Sequence, residues 1–123
     1  GYGLSYTDFV YGELQISSET LPKNGELTVS VTVTNKGNYD GYETVQLYLH
    51  DIYAEIARPV KELKGFERVF LKSGESRDVK FVITEDDLKF YNSELHYVYE
   101  PGEFDVMVGP NSRDVQTKSF QAK

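Results

Sequence analysis

At 123 residues with 39% hydrophobic side chains the chain suits one domain, and its 10 Tyr and 7 Phe each bring enough area to fill the core of a thin two-layer fold. A formal charge of −7, with 13 basic residues that form no Lys/Arg run, sets the surface against phosphate backbones and anionic membranes, so neither nucleic acid nor membrane is an expected partner. The absence of cysteine excludes disulfides, thiol catalysis and Cys-ligated zinc, but does not fix the compartment.

The opening, Gly1-Tyr2-Gly3-Leu4-Ser5-Tyr6, is abrupt and reads as the interior of a longer chain; it carries no signal peptide. Phe9, Tyr11, Leu14 and Ile16 then predict a first strand, irregular at Gly12. Ser17 to Gly25 reads as a polar connection. Leu27, Val29, Val31 and Val33 alternate with Thr28, Ser30, Thr32 and Thr34, the mark of a β-branched strand with one buried face. Asn35-Lys36-Gly37-Asn38 ends it with turn formers. Val45, Leu47 and Leu49 alternate in the same way, and the two segments are expected to be neighbouring strands B and C. Asp51 to Val60 is a longer connection whose apolar residues are expected to pack on something.

Leu63 to Leu71 is a weaker strand, turned at Lys72-Ser73-Gly74-Glu75 into another that buries Val79, Phe81 and Ile83. A helical turn follows, with Thr84 as its cap, and Leu88, Phe90 and Tyr91 are expected to plug it against the core. Pro101-Gly102 launches the alternation of Phe104, Val106 and Val108, and Val115 to Phe120 is the last strand. About seven short strands with turn signals between them predict an all-β, immunoglobulin-like antiparallel sandwich of two sheets. No helix is long enough for a βαβ unit, and no apolar run approaches the roughly 20 residues that span a bilayer.

Few residues point to chemistry. Glu85-Asp86-Asp87 could bind a metal or act as acids, but carboxylates in the first turn of a helix ordinarily stabilise its positive end. His50-Asp51 could shuttle a proton, yet no nucleophile context accompanies it, and with only His50 and His96 in the chain a His-rich metal site is excluded. His50 is expected to be a polar cap at the end of its strand. Tyr39, Tyr42, Tyr48 and Tyr53 lie near one another in sequence and could form a platform for pyranose rings, although no Trp is present to strengthen it. Arg58-Pro59 makes a rigid lead-in to a strand. No cofactor or catalytic residue is expected.

Several blocks together resemble the fibronectin type III-like C-terminal domain of family 3 glycoside hydrolases, mostly β-glucosidases and β-xylosidases. They are Gly1 to Phe9, Thr44-Val45-Gln46-Leu47-Tyr48-Leu49-His50-Asp51, Arg58-Pro59-Val60-Lys61-Glu62-Leu63-Lys64-Gly65-Phe66, Leu71 to Glu75, and Glu100 to Gly109. The blocks stand in family order and span nearly the whole chain, so residues 1–123 are one domain, with residues 1–8 as the junction to a preceding catalytic domain.

The resemblance implies that both catalytic carboxylates, which a retaining glycosidase holds about 5 Å apart, lie outside this chain. It also implies an exported parent, periplasmic or extracellular, and a structural role in which the domain docks on the catalytic domains. Tyr53, Ile56, Arg58 and Pro59 are then the expected docking loop. A carbohydrate-binding module using Tyr39, Tyr42 and Tyr48 is the alternative, and an adhesion-type sandwich is a third. Glu55 and the turn Asn92-Ser93-Glu94-Leu95-His96-Tyr97 depart from the family pattern and leave the sugar preference open. Phe104 stands in the turn into strand F, where the family's tyrosine would anchor its hydroxyl, so only its burial remains.

Overall fold

The computed structural model describes residues 8–51, 62–91, 94, 97–98 and 101–123. In chain order the elements are β1 (Phe9–Tyr11), β2 (Gln15–Ile16), β3 (Thr20–Leu21), β4 (Leu27–Asn35), β5 (Gly41–Asp51), β6 (Glu62–Leu71), β7 (Ser76–Ile83), α1 (Glu85–Leu88), β8 (Phe90–Tyr91), β9 (Tyr97–Val98), β10 (Gly102–Gly109) and β11 (Gln116–Ala122). One sheet has β4 at its centre, with β1 and β2 sharing one flank and β7 on the other. The second runs β3-β11-β10-β5-β6, and β8 pairs with β9 in a separate ribbon.

Period-two patterning decides which side chains meet between the sheets. Leu27, Val29, Val31 and Val33 of β4 are buried, as are Val79 and Ile83 of β7. They face Val45, Leu47 and Leu49 of β5 and Phe104, Val106 and Val108 of β10. Phe104 is paired in register with Phe120, and the two rings stack with centroids 5.8 Å apart. Burying side chains of this size contributes about 1.5–3 kcal/mol each, enough to hold two sheets without a disulfide.

All seven expected strands are present, and the split of the first, the addition of β3 and the β8/β9 ribbon bring the described strands to eleven. The first strand is broken where Gly12 was expected to disturb it, into β1 and β2. The Gln116 side chain fills the gap: its amide donates to the Gly12 carbonyl at 2.6 Å, and its oxygen accepts from the Leu14 N–H at 2.9 Å. The polar connection from Ser17 to Gly25 contains β3, which pairs parallel to the C-terminal strand β11 and buries Leu21 completely.

Strands β4 and β5 follow one another in sequence, lie in opposite sheets and face each other across the core, as strands B and C of such a sandwich do. Leu88 is buried at the end of α1 as expected, and Phe90 and Tyr91 follow it as the short strand β8, paired with Val98 and Tyr97.

Among the described residues one polar side chain, Asn35, is fully buried. Its amide donates to the carbonyls of Tyr39 (2.8 Å) and Leu71 (3.0 Å), and its oxygen accepts from the Gly37 N–H (2.9 Å). Those bonds satisfy the groups that burial would otherwise orphan. They also join the β4–β5 turn to the end of β6, a link repeated at the surface by the Ser73 hydroxyl donating to the Gly37 carbonyl at 2.6 Å.

Candidate functional site

The sandwich has two outer faces of different chemistry. That of the β4/β7 sheet carries Thr28, Ser30, Thr32, Thr34, Asp78 and Lys80, with Val82 and, on β1, Val10 as its exposed apolar residues. Its polar groups bond among themselves, as between the Thr32 hydroxyl and Asp78 at 2.7 Å. This is the ordinary solvated side of an antiparallel sheet.

On the other sheet, β5 and the edge strand β6 point large apolar residues outward. Tyr42 is 59% exposed, Phe66 64%, Leu63 52% and Phe70 39%. The register sets Tyr42 opposite Phe70, Thr44 opposite Arg68, Gln46 opposite Phe66 and Tyr48 opposite Leu63. Leu63 reaches this face because of a β-bulge. Leu47 pairs with Gly65 and Tyr48 with Leu63, which leaves Lys64 as the extra residue and shifts the alternation by one. Without it, Leu63 would share the parity of Val69 and Leu71 and point inward.

The patch is ordered at one end. The Tyr42 and Phe70 rings meet edge to face, with centroids 5.0 Å apart at 60°. The Arg68 guanidinium lies 4.2 Å from the centre of the Tyr42 ring, held there by the ring quadrupole. At the other end the Tyr48 hydroxyl donates to Gln46 Oε1 at 2.5 Å, while Gln46 Nε2 donates to the Pro110 carbonyl at 3.1 Å.

Of the predicted tyrosine platform, Tyr42 and Tyr48 do share the outer face, but six residues of strand separate them by about 20 Å. Tyr39 lies in the turn before β5, 59% exposed, and one face of the Tyr42 ring is covered by Arg68. The three do not converge on one ring-sized surface. The expected docking residues Tyr53, Ile56, Arg58 and Pro59, like His96, lie outside the described residues.

His50 is the penultimate residue of β5, half-buried and opposite Asp105, whose carboxylate accepts a 2.6 Å hydrogen bond from the Ser119 hydroxyl. The acidic triplet at α1 is divided among separate partners. Glu85 accepts from the Asn24 N–H, Asp86 pairs with Lys89 at 2.8 Å, and Asp87 accepts from the Thr84 N–H at 2.9 Å. The three carboxylates therefore serve local structure. Among the described residues no group of three His, Asp or Glu side chains could hold a metal.

Reading the sequence missed Leu63, Phe66, Arg68 and Phe70 as a surface. Their signal was the loss of clean alternation in that strand, where large apolar residues stand on both faces.

Comparison with known proteins agrees with this architecture. Residues 43–112 match the family model described as the fibronectin type III-like domain. Over 121 residues the chain is 46% identical to a periplasmic β-glucosidase of Salmonella typhimurium, covering 98% of this chain and 16% of that protein. It is 46% identical over 123 residues to a putative β-xylosidase of Formosa agariphila, covering 100% of this chain and 16% of that one. A β-glucosidase from Listeria innocua, solved in complex with gluconolactone, superposes with a TM-score of 0.85 at 43% identity, over 98% of this chain and 17% of the structure. The chain thus spans about a sixth of the relatives it matches, and it belongs to the fibronectin type III-like domain family, of the kind carried by family 3 β-glucosidases and β-xylosidases.

Proposed function

We propose that this chain is a non-catalytic accessory domain of an exported family 3 glycoside hydrolase that releases glucose or xylose from β-glycans. The observation that carries the reading is one of proportion: the similarity runs over 98% of this chain and only 16% of a β-glucosidase. The catalytic pocket of such an enzyme then belongs to the remaining part. Glu43, Glu85, Asp86, Asp87 and Asp105 fit a supporting role, because each bonds a partner within the domain. Kinship with a protein named as periplasmic supports a periplasmic or extracellular location.

In this role the domain packs against its catalytic neighbours and holds their positions, and its partners are intramolecular. The test is to assay the complete gene product on aryl β-glucosides and β-xylosides beside the 123-residue chain at equal concentration. Turnover by the complete product alone is expected. Turnover by the 123-residue chain, or none by the complete product on any β-glycoside, would overturn the reading.

A further inference from the structure

We propose that the outer face of β5 and β6, centred on Phe66, is the surface by which this domain docks on the rest of its own chain. The proposal rests on the accessory-domain reading and deepens it, since it names the contact surface. Three observations lead to it.

The first is chemical asymmetry. One outer face is mostly Thr, Ser, Asp and Lys, its exposed apolar residues being Val10 and Val82 on opposite flanks of β4, whereas the other exposes Tyr42, Leu63, Phe66 and Phe70 on two paired strands. At the areas typical of such side chains these four expose on the order of 400 Å². An interface between domains of one chain buries about 600–1,500 Å² in total, counting both sides. The patch therefore supplies most of one side of a modest interface, and is larger than scattered surface leucines would give.

The second is geometry. The bulge at Lys64 spends a ladder position to put Leu63 outward beside Tyr48. That extends the apolar row along β6, toward the end opposite Phe70. Aromatic and Arg side chains are the usual anchors of such contacts. Arg68, stacked on Tyr42, keeps the N–H edge of its guanidinium available to a carboxylate of the opposing surface.

The third concerns the occupant. In relatives of 46% identity this domain is about a sixth of a chain, so a large covalently linked surface is always at hand. A tethered neighbour acts at an effective concentration in the millimolar range for short linkers, which a free partner seldom reaches. The surface it fits is apolar at the centre, with an acidic group placed for Arg68.

The absence of cysteine from these residues makes the test direct. In the complete enzyme, Phe66→Cys and Leu63→Cys report on the patch, Thr44→Cys is a gentler reporter on the same face, and Thr32→Cys is an exposed control on the opposite sheet. Alkylation of each is followed by peptide mass spectrometry in native and denatured samples. Positions 44, 63 and 66 are expected to react at least tenfold more slowly than position 32 in the native enzyme, and equally once unfolded.

Native reactivity at 44, 63 and 66 equal to that at 32 overturns the proposal. So does protection that appears only when a glucan or xylan oligosaccharide is added, which would make the face a sugar surface. Each preparation is also assayed for β-glycosidase activity. Fast labelling in an active enzyme rejects the docking face and leaves the accessory role standing, whereas a complete chain without β-glycosidase activity rejects both.

Discussion

The Tyr11 hydroxyl donates a 3.0 Å hydrogen bond to the Glu43 carboxylate, and so ties β1 of one sheet to β5 of the other. The bond is a polar link between two sheets that pack mainly through apolar side chains. It also fixes the proton on Tyr11: burial, then the Glu43 charge, then the bond itself push the phenol well above its ordinary range.

A pH dependence with a definite sign follows from that shift. The unfolded chain loses the tyrosine proton near about pH 10, whereas the folded chain retains it. Above that pH the unfolded state binds fewer protons, so the contribution to stability is present below it and is lost as pH rises. Tyr11→Phe is expected to cost about 1 kcal/mol at pH 7. The gap between the native protein and the variant should narrow between about pH 10 and 11, as urea unfolding across that range would reveal.

Asn35→Ala removes three hydrogen bonds at once and leaves two carbonyls and an N–H without their partner. The expected loss is about 3 kcal/mol, at the upper end for a point substitution. In a domain of this size the midpoint of thermal unfolding should fall by roughly 10 °C, measured by circular dichroism.

Gln116→Ala takes away the side chain that completes the broken first strand. A loss of about 1–2 kcal/mol is expected. The change should be local first, with faster hydrogen exchange at the Leu14 amide while the amides of β4 and β7 keep their protection.

Two glycines separate steric closeness from backbone conformation. A Cβ at Gly109 would fall 2.2 Å from the Asp114 carbonyl oxygen, where the backbone must move, so Gly109→Ala should cost roughly 3 kcal/mol. At Gly74 a Cβ would meet nothing, but φ is +84° in the β6–β7 turn. Gly74→Ala should therefore cost only about 1 kcal/mol, and chemical denaturation of the two variants gives the comparison.

Clean alternation made β4, β5 and β10 legible in the sequence, because one face of each is uniformly apolar and β-branched or aromatic residues favour the pleat. The edge strand was harder to read. In Leu63 to Leu71 the outer face is also apolar, and the bulge at Lys64 shifts the period midway, so two regular patterns are superposed out of phase. That strand carries the candidate surface, which is why Phe66 and Phe70 went unnoticed while the tyrosines drew attention. Closeness in sequence also misled there, because six residues that would span under two turns of helix span about 20 Å of strand. The roles of Asn35 and Gln116 and the pairing of β3 depend on partners remote in sequence, which no local pattern encodes.

The central claim is that this domain supports a catalytic neighbour without entering its chemistry, and heat inactivation of the complete enzyme tests it most directly. With Phe66→Ser and Phe70→Ser combined, kcat at 25 °C should stay within about twofold of the unaltered enzyme. The half-life of activity near the inactivation midpoint should fall at least about tenfold, the factor that 1.4 kcal/mol of lost interdomain contact gives. A collapse of kcat at 25 °C with an unchanged half-life would contradict the account.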